Sequence, residues 1–129
     1  MHDMTIAYLC IVTMIFIPLL CVAYAKFSTR GYDNRAPREF LEKLEGKAKR
    51  AHYAQLNSFE AFAPFAVGVV VAHQVHAPQF WIDGLAVSFI VARIVYVVLY
   101  IQDLHAWRSI VWFVGLFITV ALYLIGFYR

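Results

Sequence analysis

Apolar residues gather into four blocks, at residues 4–25, 61–75, 80–101 and 110–128, with polar residues in the stretches between them. A helix that crosses the hydrocarbon of a bilayer needs about 20 mostly apolar residues. The second block reaches that length only by starting near Ala51, which draws Asn57 and Glu60 into the span or to its edge. The pattern therefore predicts a single all-α membrane domain with four spans, at about 4–26, 48–75, 80–101 and 107–128, and a connection over about 27–47. The last two connections are short, which makes neighbouring spans antiparallel partners in a four-helix bundle. In the first span, Ala23-Tyr24-Ala25 resembles a signal-peptide cleavage site. The opening "MHDM" lacks a basic start, however, and the apolar run is longer than such a peptide needs, so a retained span is expected.

The long connection, "KFSTRGYDNRAPREFLEKLEGKAKR", carries turn signals at Gly31, Asp33-Asn34 and Pro37. Within it, "PREFLEKLE" predicts a short amphipathic helix. Pro37 suits a first turn, Glu39 and Lys43 form an i,i+4 pair, and Phe40, Leu41 and Leu44 share an apolar face. Such a helix either lies on the membrane surface or forms a lid over a site at that end of the bundle.

Composition strengthens the membrane assignment. The chain of 129 residues is 63% hydrophobic and 15% charged, against about 45–50% and about 25% in soluble domains. Eight of the eleven Lys and Arg residues lie between Lys26 and Arg50. The positive-inside tendency orients that connection, and with it "QDLHAWR", toward the cytoplasm. The net charge of +3 is thus explained by topology, and no nucleic-acid partner is expected. Cys10 and Cys21 stand about 16 Å apart on one helix, too far for a disulfide, and read as small buried hydrophobes.

An ionisable side chain inside a span must face a cavity, a partner or water, and so marks a candidate site. Asn57 and Glu60 share one face of the second span, with Gln55 beside them and Arg50 two turns earlier. Pro64 removes the N–H that would bond the Glu60 carbonyl, leaving an acceptor beside the carboxylate. Arg93, Tyr96 and Tyr100 form a stripe on the third span, and Arg108 with Ser109 opens the fourth. Two accounts fit these residues. In one, Glu60 and Arg93 are a buried ion pair that sets the registry of two helices. In the other, the surplus of donors of both signs forms a pocket for a small zwitterionic or anionic ligand. His73 and His76 are three apart but have no third ligand at suitable spacing, so no metal site is expected. Asp103, His105 and His52 read as solvated, capping or interfacial groups, and Asp83 as a water-reached residue at the outer end of the third span.

The motifs "RAHYAQLNSFEAFAPF", "ARIVYVVLY" and "WRS", in this order on four spans with a polar first loop, resemble the membrane-associated proteins in eicosanoid and glutathione metabolism, the MAPEG family. The resemblance covers nearly the whole chain and is nearest to the family's short bacterial branch. It implies a homotrimer in the bacterial inner membrane, with glutathione bound between subunits near the cytoplasmic side. It further implies that Asn57 and Glu60 hold the glutathione backbone with Gln55 adjacent, that Tyr96 and Tyr100 are aromatic contacts preceded by Arg93, and that Arg108 lies beside the thiol. Members with eicosanoid activities carry an arginine where this chain has Tyr53; Arg50, three positions earlier, is the candidate replacement.

Glutathione bears two carboxylates and an ammonium, so its site requires cations and an acid. Arg50, Arg93 and Arg108 can supply the first and Glu60 the second. The expected activity is that of a glutathione S-transferase or peroxidase acting on lipophilic electrophiles that arrive from the bilayer, with Arg108 stabilising the thiolate. A small four-span multidrug transporter is the main alternative, although that class relies on an acid in its first span and residues 4–25 contain none. A non-catalytic membrane scaffold is the third possibility.

Overall fold

The computed structural model describes residues 3–128, and no strand occurs among them. In chain order the helices are α1 (Ile6–Phe27), α2 (Pro37–Glu42), α3 (Gly46–Gln74), α4 (Gln79–Ile101) and α5 (His105–Leu124), the last extended by a 3₁₀ turn, Ile125–Phe127. Four of them are long and apolar enough to cross a membrane. The chain is an integral membrane four-helix bundle, with α2 as a fifth, short element at one end. Large apolar side chains such as Leu20, Phe16, Val91 and Phe117 point outward, as a lipid environment requires.

Small residues decide how closely the helices approach. Bilayer lipid is as apolar as leucine, so packing between spans depends on close van der Waals fit rather than on escape from water. The buried stripe of α3 is mostly small, with Ala48, Ala51, Ala54, Ser58, Gly68 and Ala72. Helices α1, α4 and α5 all pack on α3, and α4 also packs on α1 and α5. Along α1, Ala7, Cys10, Met14, Ile17, Cys21 and Ala25 recur every three or four residues and form its buried face. Both cysteines are buried and free. At Gly68 a Cβ would stand 3.0 Å from Tyr123 Cε2 and 3.3 Å from Leu122 Cβ. Tyr123 cannot easily retreat, because its hydroxyl donates to the Pro64 carbonyl at 2.8 Å.

The end that carries the first loop is closed by α2. Leu41 and Leu44 are buried against Ala25, Ala48 and Ala51, with Phe40, Val22 and Ile101 at the margin. The apolar side of this segment, with Leu44 just beyond α2, therefore packs on the bundle itself. Lys49 Nζ donates to the Leu41 carbonyl at 3.5 Å and also to that of Glu42, tying the C-terminal end of α2 to α3. Gly46, the first residue of α3, has φ +62°, a conformation that costs a residue with a Cβ.

The opposite end is held by hydrogen bonds. Thr5 caps α1 by accepting the Tyr8 N–H at 3.1 Å, and Asp83 Oδ1 accepts the Ala7 N–H at 2.9 Å. His73 Nδ1 lies 2.8 Å from the Val69 carbonyl, so that nitrogen carries the proton. Its Nε2 accepts from Thr5 Oγ1 at 3.0 Å and Gln79 Nε2 at 3.3 Å, and Gln79 also donates to Asp83. Asp83 is therefore a bridge between α4 and the first turn of α1 rather than a merely wetted residue. Two amides of that turn have no partner within their own helix, and this arrangement satisfies both. The α3 and α4 helices each end in a Schellman closure with a non-glycine residue at positive φ, His76 (58°) and Asp103 (62°).

Gly68→Ala is expected to destabilise the bundle by about 1–3 kcal/mol through overpacking against the tethered Tyr123 ring. Thermal unfolding followed by circular dichroism in detergent checks this; an unchanged midpoint would show that α3 and α5 have room to spare.

Candidate ligand-binding site

Arg93 lies at the centre of the interior. Only 3% of it is exposed, in a bundle whose surroundings offer little water, so its N–H groups must find acceptors inside the protein. The Nη2 atom donates to Asn57 Oδ1 at 2.9 Å and to Ser58 Oγ at 3.0 Å. Its guanidinium carbon sits 4.2 Å from the centroid of the Tyr96 ring. Asn57 and Ser58 are consecutive on α3 and Arg93 is on α4, so these bonds set the register between the two helices.

Glu60 does not take part. It is exposed, and the one ion pair among the described residues is Lys43–Glu39 at 3.5 Å, on α2. The account in which Glu60 and Arg93 neutralise one another is therefore overturned. The neutral oxygens of Asn57 and Ser58 take both hydrogens of Arg93 Nη2, its buried Nε has no partner among the described residues, and the carboxylate is left facing open space.

From Arg93 a packed series of two rings, with a cation at each end, climbs toward the basic end of the bundle. Tyr96 meets Tyr100 edge to face, with centroids 5.7 Å apart and planes at 74°. Arg108, at the start of α5, places its guanidinium carbon 4.3 Å from the Tyr100 centroid. A cation over a ring face is held by the quadrupole without spending its N–H donors. Among the described residues the Arg108 side chain has no hydrogen-bond or ion-pair partner, so its five donors remain available.

Two adjoining cavities open beside this series. One, of about 240 Å³, is lined by Asn57, Tyr96, Tyr100, Arg108, Ser109, Trp112 and Phe113. The other, of about 170 Å³, continues from Asn57, Glu60, Arg93 and Trp112 to an apolar floor that includes Pro64, Phe89 and Leu116. Asn57 and Trp112 belong to both. The hydroxyls of the lining are partly committed: Ser109 Oγ donates to the His105 carbonyl at 3.1 Å and Thr119 Oγ1 to that of Gly115 at 2.9 Å. What the combined space offers a ligand is a cationic donor at the rim, an amide and a free carboxylate midway, and a mostly apolar floor where the Thr119 hydroxyl is already bonded to the Gly115 carbonyl.

Six of the eight residues singled out from sequence, Asn57, Glu60, Arg93, Tyr96, Tyr100 and Arg108, line these cavities. Arg50 and Gln55 line neither. Arg50 Nε donates to the Ile101 carbonyl at 2.9 Å, where a positive charge also suits the C-terminal end of α4. Gln55 Oε1 is paired with His52 Nδ1 at 3.2 Å. Tyr53 is exposed, with Lys49 Nζ 5.3 Å from its ring. Ser58 and Trp112 escaped the sequence reading. Ser58 stands next to Asn57 in an apolar run, which is a usable signal; Trp112 resembles any interfacial tryptophan until α5 turns it toward the cavities.

Fold and site together define an integral membrane helical bundle whose polar groups converge on cavities among three of its spans. The chain belongs to the MAPEG family, whose model matches residues 4–128. No curated protein and no solved structure matches it.

A double-mutant cycle between Asn57→Ala and Arg93→Met is expected to give a coupling energy of about 1–3 kcal/mol. The cycle between Glu60→Gln and Arg93→Met should give a smaller one. Chemical unfolding in mixed micelles measures both, and the reverse order would reinstate the Glu60–Arg93 pair.

Proposed function

We propose that this protein is a membrane glutathione S-transferase or peroxidase that acts on lipophilic electrophiles. The observation that carries the reading is Arg108, oriented by the Tyr100 ring, with its donors uncommitted at the rim of a cavity. MAPEG membership supports glutathione as the co-substrate. Its two carboxylates call for Arg108 and further cations, and its ammonium for the unpaired Glu60. Arg50 stands at the same end of the bundle and can meet a carboxylate if a ligand draws it from the Ile101 carbonyl. The proposal includes a homotrimer in a bacterial inner membrane, with the first loop and the site on the cytoplasmic side. Glu60 and the outer faces of the cavities are then covered by a neighbouring subunit.

Thiolate formation is the chemistry that such a site can promote. A free thiol has a pKa near 8.5 and reacts as the thiolate. A guanidinium within about 4–6 Å favours the charged form and lowers that value by about 1–3 units. In conjugation the thiolate sulfur bonds to an electrophilic carbon and the leaving group departs with its bonding pair. In peroxide reduction the sulfur takes the distal oxygen of a hydroperoxide, the alcohol leaves on protonation, and a second glutathione converts the sulfenic acid to the disulfide and water. Apolar substrates reach the sulfur from the lipid side without crossing water.

On adding glutathione to the purified protein, an ultraviolet thiolate band is expected below the pH at which free glutathione ionises. In Arg108→Ala the midpoint of that band should move up by about 1–3 units, because the cation that favoured the anion is gone. Equal midpoints in the two proteins would reject Arg108 as the thiolate's partner. Mass measurement of the detergent-solubilised chain tests the trimer.

A further inference from the structure

A groove separate from the two cavities runs between α1 and α4. It extends from Ile17 to Tyr24 on the first helix and from Ile94 to Ile101 on the second, with a volume of about 210 Å³. It shares no residue with the cavities beside Arg93, to which α1 contributes none. Its walls are apolar side chains, broken only by the Cys21 thiol and the Tyr24 hydroxyl. Leu20, Ile94 and Val98 in these walls are exposed, so the groove opens on the face that lipid covers. Ile17 lies near the middle of α1, Tyr24 stands one turn from its end, and Ile101 is the last residue of α4. Seven residues of helix rise about 10 Å. One leaflet supplies half of a hydrocarbon core about 30 Å thick, so the groove follows most of that leaflet's depth.

Unpaired cations stand at its mouth. Arg50 Nε donates to the Ile101 carbonyl at 2.9 Å, which sets the guanidinium beside the last residue of the groove. The Nη groups of Arg50 have no hydrogen-bond partner among the described residues. Lys47, one turn earlier on the same face of α3, is exposed. Glu42 and Glu45, the acids nearest in sequence, are exposed as well, and neither forms an ion pair among the described residues. From Lys26 to Arg50 eight cations stand against four acids.

We infer that this groove seats one acyl chain of an anionic phospholipid, whose headgroup phosphate is met by Arg50 and Lys47. Apolar walls of leaflet depth suit a chain that enters from the bilayer, and a basic mouth between spans suits a negative head. The Arg50 bond to the Ile101 carbonyl is kept, because the phosphate takes the Nη donors. A second copy of the chain laid over the groove would cover the walls and leave the cations of the mouth unmatched. Lipid binding here is independent of what the cavities beside Arg93 hold.

Native mass spectrometry of the delipidated full chain in detergent tests the site, with dioleoyl phosphatidylglycerol and dioleoyl phosphatidylcholine added in equal amounts. The phosphatidylglycerol adduct is expected to exceed the phosphatidylcholine adduct by about fivefold, the effect of one cation on an anionic head. Arg50→Gln should bring the two near parity. Val98→Trp, which fills the groove from its exposed rim, should remove most of both adducts. Val91→Trp, at an exposed position of α4 outside the groove, should leave both as they are. No adduct or equal adducts in wild type would overturn the inference, as would full wild-type adducts in Val98→Trp. Adducts retained in Val98→Trp with a changed number of chains per particle would assign the groove to a contact between copies.

Cys21 supplies a reading that needs no groove variant, since its thiol lines the wall. Its alkylation by N-ethylmaleimide, located by peptide mass mapping, should slow about threefold with phosphatidylglycerol at twice its Kd, and less with phosphatidylcholine at the same concentration. Cys10, outside the groove, is the internal reference and should react alike with either lipid. Cys21 rates that are the same with each lipid and with none would reject the site.

Discussion

A guanidinium buried among spans whose outer surfaces face lipid is the constraint that orders the interior of this protein. Removing such a cation from water costs several kcal/mol after relaxation, and the surrounding bilayer offers nothing to offset it. Arg93 is stabilised by the oxygens of Asn57 and Ser58 and by the face of Tyr96. Hydrogen bonds tolerate little slippage, so satisfying this one side chain holds α3 and α4 in a single register. Small residues along α3 make the approach possible, and the bonds decide where along the helices it occurs.

The same arrangement explains why charge is left unpaired in the cavities. Had Arg93 been neutralised by Glu60, the pair would be internally complete and the cavity would contain no acid. Neutral oxygens take the Nη2 donors of the cation instead, and the carboxylate is left over. Arg108 is handled in a parallel way, oriented by the Tyr100 ring rather than by a carboxylate. The Tyr100 ring fixes Arg108 without consuming its N–H donors. The Tyr96–Tyr100 contact joins the two halves of the system, so the buried arginine and the rim arginine belong to one packed series.

The four spans were legible because lipid solvation imposes a long, crude signal: any twenty apolar residues will do. The site was legible in part because polar residues are costly in such a run, and Asn57, Glu60, Arg93, Tyr96, Tyr100 and Arg108 stood out for that reason. Ser58 and Trp112 were harder, since a serine and a tryptophan are ordinary occupants of a span. The role of α2 was ambiguous in one dimension. Leu41 and Leu44 suit lipid and protein equally, and the bundle's own end, with Ala25, Ala48 and Ala51, is what covers them.

By itself, the order of residues determined the membrane class, the number of spans and the side chains that had to be accommodated inside them. Periodicity and the cost of burying polar groups are local matters, and both can be read along a line. Partner choice is not local. Whether Arg93 meets Glu60 or Asn57, and whether Arg50 turns to the cavities or to the Ile101 carbonyl, depend on distances of a few ångströms between different helices. Only the packed bundle decides those, because a hydrogen bond is made or lost over less than the rise of a single residue.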